Sequence, residues 1–339
     1  MKNLIDVKNL RVSYHTYAGE VQSVRGVTFS VQEGETLAIV GESGCGKSVT
    51  AKTIMGLIAT PPGEIKEGSE VVLDGKEDIL KQTEKEWEAY RGATCSMIFQ
   101  DALTSLNPTM NVEKQIMENI RNHYPVSKEE ARKETLHMLE LVGIPDPQAC
   151  MKKYPHQLSG GMRQRVMIAI ALAGKPKVLI ADEPTTALDV TIQAQIIYLM
   201  KELQKKLGTT IILITHDLGV VANIADHIVV MYSGKIMEKG NVRQIFYGHK
   251  HPYTWALLKA APNLELSNKQ PLISIEGTPP DLIDPPKGCP FAARCKYCMN
   301  ICTTEAPEEY EFEPGHTAAC WLYHPESGYA DIDFSREGE

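Results

Sequence analysis

The sequence predicts an α/β chain: a largely parallel sheet covered by helices, with a small, irregular, cysteine-rich domain at its C-terminal end. Three observations predict it. Short, continuously apolar runs recur between helix-length segments, which is the rhythm of strands buried on both faces. One such run, Thr36-Leu37-Ala38-Ile39-Val40, feeds a glycine-rich loop that opens a helix. Past about residue 250 the periodicity gives way to proline and cysteine, and regular helices are not expected there.

Taken in order, residues 1–40 hold β-type stretches at Leu4-Ile5-Asp6-Val7, Leu10 to Tyr14, Val27 to Val31, and the run ending at Val40. A helix is expected over 48–58. The next strand, Ser96-Met97-Ile98-Phe99, ends at Gln100. Residues 101–155 change character, with helices expected at 110–123 and 128–143 and with Pro125, Pro145, Pro147 and Pro155 as punctuation. This reads as a helical insertion in the α/β domain. Three further buried strands follow: Val178-Leu179-Ile180-Ala181, Ile211 to Ile214, and His227 to Met231. A helix over 191–207 separates the first two.

The totals bound the function classes. The chain has 339 residues, 43% apolar and 23% charged, enough for one large domain and an appendage. Its formal charge of -8 argues against a nucleic-acid binder, which carries a basic stripe. The start, Met1-Lys2-Asn3-Leu4-Ile5-Asp6-Val7-Lys8, has no apolar signal core, so no export is expected. The longest apolar runs fall short of the roughly 18–20 residues that cross a bilayer.

The loop Gly41-Glu42-Ser43-Gly44-Cys45-Gly46-Lys47-Ser48 matches the GxxxxGK[ST] pattern in its required strand–loop–helix context. Backbone N–H groups at a helix start surround phosphates, Lys47 reaches the β- and γ-phosphates, and the Ser48 hydroxyl ligates Mg²⁺. Cys45 sits near the same helix start, a place that can lower a thiol pKa so that oxidation would block ATP, but a tolerated variable position is the preferred reading. Leu158-Ser159-Gly160-Gly161-Met162-Arg163-Gln164 is a second turn-to-helix anion site, capped by Ser159. Asp182-Glu183 follows an apolar strand, at the end where α/β proteins place ligands; a solvated strand end is the alternative.

In this order, the motifs resemble the nucleotide-binding subunit of an ABC transporter. The resemblance implies a P-loop ABC ATPase domain with a mixed, mostly parallel sheet, an N-terminal antiparallel β part and a helical subdomain. It implies nucleotide contacts at Tyr14, Gly41, Ser43, Gly44, Cys45, Gly46, Lys47, Ser48, Val49, Gln100 and Asp182, with Ser48, Gln100 and Asp182 toward Mg²⁺. Tyr14 is where the family stacks an aromatic on adenine; strand packing is its alternative and Tyr17 its rival. Glu183 is implied as the base that polarises the attacking water, His216 as the switch histidine, and Gln100 as the glutamine that reports to the membrane partner. A buried, hydrogen-bonded glutamine is the plain reading of Gln100. Ser159, Gly160 and Gly161 would complete the site of the opposite subunit, so two ATP are sandwiched in a dimer. Asp189 resembles the loop that couples paired sites, or is an ordinary helix N-cap.

Gln157, His251-Pro252-Tyr253-Thr254, and the ending from Gly288-Cys289-Pro290-Phe291-Ala292-Ala293-Arg294-Cys295 to Pro314-Gly315-His316 narrow the resemblance to the ATPase subunits of bacterial dipeptide/oligopeptide importers, a group that includes nickel importers. Five of eight cysteines crowd there, spaced C-x5-C-x2-C-x3-C-x17-C. Thiolates are soft ligands suited to iron–sulfur clusters or zinc. By resemblance Cys289, Cys295, Cys302 and Cys320 hold a 4Fe–4S cluster, Cys298 is the spare, and zinc stays open.

The expected organisation is a nucleotide-binding domain over 1–250, its helical insertion about 101–175, and a C-terminal extension over 251–339. The expected function is an ATPase on the cytoplasmic face of a bacterial membrane. It would pair with a second ATPase subunit and drive two membrane-spanning permease subunits fed by an extracytoplasmic peptide-binding protein. Import of nickel or another solute is one alternative; a soluble ABC ATPase on ribosomes or nucleic acid is another, disfavoured by a single cassette and net negative charge.

Overall fold

The computed structural model describes residues 2–100, 105–186, 188–260 and 275–328. The first residues of the expected helical insertion, 101–104, and parts of the C-terminal extension lie outside them. The chain forms two compact units. One gathers Val31–Thr36 and Leu80–Ile214; the other gathers Asn3–Ser30, Leu37–Ile79 and the described residues from Thr215 on.

In the second unit, β1 (Asn3–Thr16) and β2 (Gly19–Gln32) are neighbours in one sheet. β4 (Gly63–Ile65) and β5 (Glu70–Leu73) pair antiparallel with β1. The two stretches expected at 4–7 and 10–14 are one strand, despite the left-handed φ of 46 that Asn9 takes between them. Asparagine tolerates that conformation, and its N–H donates to Thr28 Oγ1 at 2.9 Å, which keeps the strand paired.

The second sheet of this unit starts from β3 (Thr36–Val40), buried at every position. β3 runs parallel to β10 (His227–Tyr232), which pairs antiparallel with β11 (Lys235–Asn241). The helix expected at 48–58 is α1, Lys47–Ile54. It stops early because Gly56 turns the chain at φ 62.

The cysteine-rich tail holds more regular structure than its prolines foretell. Helices run at Pro252–Ala260 and Asn300–Thr304. A hairpin of β12 (Glu309–Glu313) and β13 (His316–Ala319) extends the second sheet, β13 pairing with β11. The buried Glu238 carboxylate secures this join: it accepts the Lys250 and His251 N–H groups at 2.7 and 2.9 Å and meets His316 Nε2 at 2.8 Å. Cys289, Phe291 and Cys302 share one core cluster with Val40, Tyr232 and Tyr253, so the tail borrows the core of its unit.

In the first unit β7 (Cys95–Ile98), β8 (Val178–Asp182) and β9 (Thr210–Ile214) are parallel in consecutive register, and all three are buried throughout. The insertion is helical, at Val112–His123, Lys128–Leu141 and Pro147–Lys152, before the helix Gly160–Ala173. Side-chain caps set their starts. Asn111 accepts Lys114 N–H, Ser127 and Glu130 form a reciprocal box, and Asp146 caps the helix opened by Pro147. Among the described residues no helix is long and apolar enough to cross a membrane.

Candidate active site

The glycine-rich loop joins β3 to α1 and is pressed against its own unit. A Cβ on Gly41 would lie 2.1 Å from the Met231 carbonyl, and one on Gly46 2.4 Å from the Ser23 carbonyl. Both residues also have φ in the left-handed half, 148 and 100. Gly46 is the N-cap of α1 and supplies no side-chain cap, so the first N–H groups of the helix are left to face the loop.

Lys47 is buried, and its ammonium donates to the Gly41 and Glu42 carbonyls at 2.8 and 2.9 Å. Ser43 and Gly44 form the exposed tip, while Ser48 and Val49 are half-buried on the first turn of the helix. The Cys45 thiol is buried, and desolvation pushes its pKa up against the pull of Lys47, opposite to the influence of the helix start alone.

In the first unit, Asp182 ends β8 and is 4% exposed. Glu183 follows with φ 48, a conformation costing a non-glycine residue on the order of 1–3 kcal/mol. Its N–H donates to the Ile214 carbonyl at 2.8 Å, tying the strained turn to the end of β9. Two donors meet on its Oε2: Gln100 Nε2 at 3.2 Å and the Thr186 hydroxyl at 2.9 Å. The structure therefore brings together two residues singled out from sequence, Gln100 and Glu183, and adds Thr186, which sequence reasoning missed. Gln100 is exposed at the end of β7 rather than buried.

Ser159 caps the helix Gly160–Ala173, accepting the Met162 N–H at 3.4 Å. Ser159 and Gly160 are exposed and Gly161 is half-buried. Asp189 is the N-cap of the helix Val190–Leu207, accepting the Ile192 N–H at 3.0 Å. His216 is exposed on the turn before the helix Leu218–Ile224. Tyr14 is half-buried on β1 opposite Gly63, and burial raises its pKa; Tyr17 is fully exposed.

Four tail cysteines, Cys289, Cys295, Cys302 and Cys320, line one small apolar cavity with His251, Phe291 and Trp321. Cys298 is exposed and is not part of that lining. Burial pushes the Cys289 thiol up to about 11, and it raises Cys295 and Cys320 further, with neighbouring sulfurs adding to the shift. Among the described residues no group of three or more His, Cys, Asp or Glu stands placed to hold a metal ion.

Sequence reasoning also passed over Arg294 and Glu42. The Arg294 guanidinium grips the Glu42 carboxylate at both oxygens, 2.6 and 3.0 Å. The only local signal is the Phe291-Ala292-Ala293-Arg294-Cys295 run itself, since the partner lies 252 residues away.

Known proteins resemble this chain. The ABC transporter family profile matches residues 24–186, and the profile of the oligopeptide/dipeptide transporter C-terminal region matches 237–302. The oligopeptide transport ATP-binding protein OppD of Bacillus subtilis (strain 168) is 56% identical over 96% of this chain and 90% of its own length. The dipeptide transport ATP-binding protein DppD of the same organism is 53% identical over 97% and 98%. OppD of Escherichia coli (strain K12) is 51% identical over 94% and 93%. Among solved structures, the dimeric post-hydrolysis state of the ATP-binding cassette MJ0796, bound to ADP and Pi, superposes with a TM-score of 0.63 at 29% identity, covering 70% of this chain and 99% of that one.

Proposed function

The chain belongs to the ATP-binding proteins of oligopeptide and dipeptide ABC transporters, and we propose that it couples ATP hydrolysis to peptide uptake. The observation that carries the reading is near-complete coverage by peptide-transport relatives, together with a phosphate loop, a strand-end Asp-Glu pair and an exposed Ser-Gly-Gly turn in one chain. It works at the cytoplasmic face of the membrane with a second ATP-binding subunit, two permease subunits and a peptide-binding protein. The dimeric MJ0796 cassette supports the pairing.

In this reading Gly41 to Val49 cradle the triphosphate, with Lys47 on its β- and γ-phosphates. Tyr14 stacks on the base. Ser48, Gln100 and Asp182 offer the oxygen donors a hard cation takes, and magnesium, when bound, neutralises charge on the transferring phosphate. Glu183 accepts a proton from the attacking water. Holding its Oε2 with Gln100 and Thr186 fixes the direction in which the carboxylate faces. His216 approaches the γ-phosphate, while Ser159, Gly160 and Gly161 cover the triphosphate of the partner subunit, and Asp189 lies on the turn between paired sites.

Glu183→Gln tests the reading in the assembled transporter. Hydrolysis and ATP-driven peptide uptake fall by roughly a thousandfold or more, while MgATP binding persists. Retained hydrolysis removes Glu183 as the base.

We infer further that Cys289, Cys295, Cys302 and Cys320 hold a 4Fe–4S cluster, with Cys298 as the spare and zinc as the rival group. Supporting this are the shared cavity, the exclusion of Cys298 from it, and a donor set made wholly of sulfur. The cluster, when bound, crosslinks four points of a segment with little core of its own. Iron and sulfide analysis after anaerobic purification reads four irons in wild type and in Cys298→Ser, and loss in Cys295→Ser. Stoichiometric zinc without visible absorption overturns the cluster.

A further inference from the structure

The cysteine-rich tail reaches the phosphate loop through Arg294 and, from its first helix, Tyr253. Arg294, its side chain 5% exposed, precedes Cys295 directly. A guanidinium has five N–H donors, and here each finds an acceptor. Nε donates to the Glu276 carbonyl at 2.8 Å. Nη1 donates to Glu42 Oε2 at 2.6 Å and to the Tyr232 hydroxyl at 3.0 Å. Nη2 donates to Glu42 Oε1 at 3.0 Å and to the Ile275 carbonyl at 3.1 Å. Such saturation fixes the fork in one orientation.

Glu42 is the second residue of the phosphate loop, and its other polar groups are engaged too. Its N–H donates to the Tyr253 hydroxyl at 2.9 Å. Its carbonyl accepts the Lys47 ammonium at 2.9 Å. Tyr253 in turn packs on Tyr232 and Phe291, with ring centroids 4.6 and 5.2 Å away. The peptide that receives the phosphate-binding lysine is thus held from outside the loop, by Arg294 at the side chain and by Tyr253 at the N–H.

We infer that Arg294 is a positioning residue of the ATP site, acting through Glu42 to set the phosphate loop for nucleotide. It never touches ATP. Its effect is on where the loop peptides and Lys47 stand before the triphosphate arrives, so its loss weakens ATP binding while leaving the hydrolytic step intact. The inference rests on the loop being the ATP site, and it extends that site into the C-terminal extension.

MgATP is titrated into the full-length chain by calorimetry, with the ATP KM and kcat measured in the assembled transporter. The variants are Arg294→Gln, Arg294→Lys, Glu42→Gln and the Arg294→Gln/Glu42→Gln double. Each Gln variant weakens ATP binding and raises its KM by roughly tenfold, with kcat within about twofold of wild type. The double variant is no weaker than the worse single one, because both remove the same interaction. Arg294→Lys falls between, since an ammonium keeps the charge but loses the fork. Should Arg294→Gln fail to fold, the near-isosteric Glu42→Gln and the Arg294→Lys variant decide. A lowered melting temperature with unchanged ATP affinity in Glu42→Gln and Arg294→Lys shows a purely structural staple and overturns the inference. Additive losses in the double variant overturn it too. Absence of MgATP binding by the wild-type chain instead overturns the ATPase reading beneath it.

Discussion

At the phosphate loop, a side chain on Gly41 or Gly46 would run into carbonyls of the chain itself, at 2.1 and 2.4 Å. At the Ser159-Gly160-Gly161 turn the surroundings are different. Among the described residues a Cβ on Gly160 would meet Leu188 Cδ2 at an ordinary 3.5 Å, whereas one on Gly161 would press on the Ile192 Cγ2 methyl at 2.9 Å. Neither has the left-handed φ of the loop glycines. Both turns open helices and both present N–H groups, but the fold requires glycine at Gly41 and Gly46 and leaves room for a side chain at Gly160. Room at Gly160 is what a turn closing over a partner's nucleotide would leave.

The sharpest way to break this comparison is to add one carbon to each turn. Gly46→Ala forces a φ of 100 on a side chain and drives it into the Ser23 carbonyl. The two effects together cost about 3 kcal/mol or more. MgATP binding is lost and thermal unfolding moves to much lower temperature. Gly160→Val changes stability by less than about 0.5 kcal/mol, yet lowers hydrolysis in the assembled transporter by roughly a hundredfold. A thermal shift in Gly160→Val as large as in Gly46→Ala would erase the distinction. Unchanged hydrolysis would take the turn away from the nucleotide.

The same distinction explains what the sequence disclosed. The loop was legible because its glycines and lysine keep fixed spacing between a buried strand and a helix, all within 36–54. Asp182 and Glu183 were legible from the apolar strand before them. Arg294 with Glu42 was not, because nothing local pairs residues 252 apart. The hairpin of β12 and β13 was missed for another reason. Its strands are five and four residues long, and β12 alternates glutamate with aromatic residues, which reads as a solvated segment until β11 supplies an edge. The raised thiol pKa at Cys45 belongs here too, since a helix start is visible in sequence and burial is not.

The smallest effect probes how the Glu183 carboxylate is held, in contrast to the backbone-held loop. Glu183 sits at a strained φ of 48, and its Oε2 is oriented by two side-chain donors, Gln100 and Thr186. Thr186→Val removes one donor with almost no change of shape. A hydrogen bond of this kind contributes about 1 kcal/mol, so kcat falls by roughly fivefold. The ATP KM stays at the wild-type value, because the phosphate loop is untouched. Thr186→Ser restores the hydroxyl and recovers most of the rate. If Thr186→Val is as inactive as Glu183→Gln, the hydroxyl does more than orient the carboxylate; if kcat is unchanged, Gln100 alone suffices to hold it.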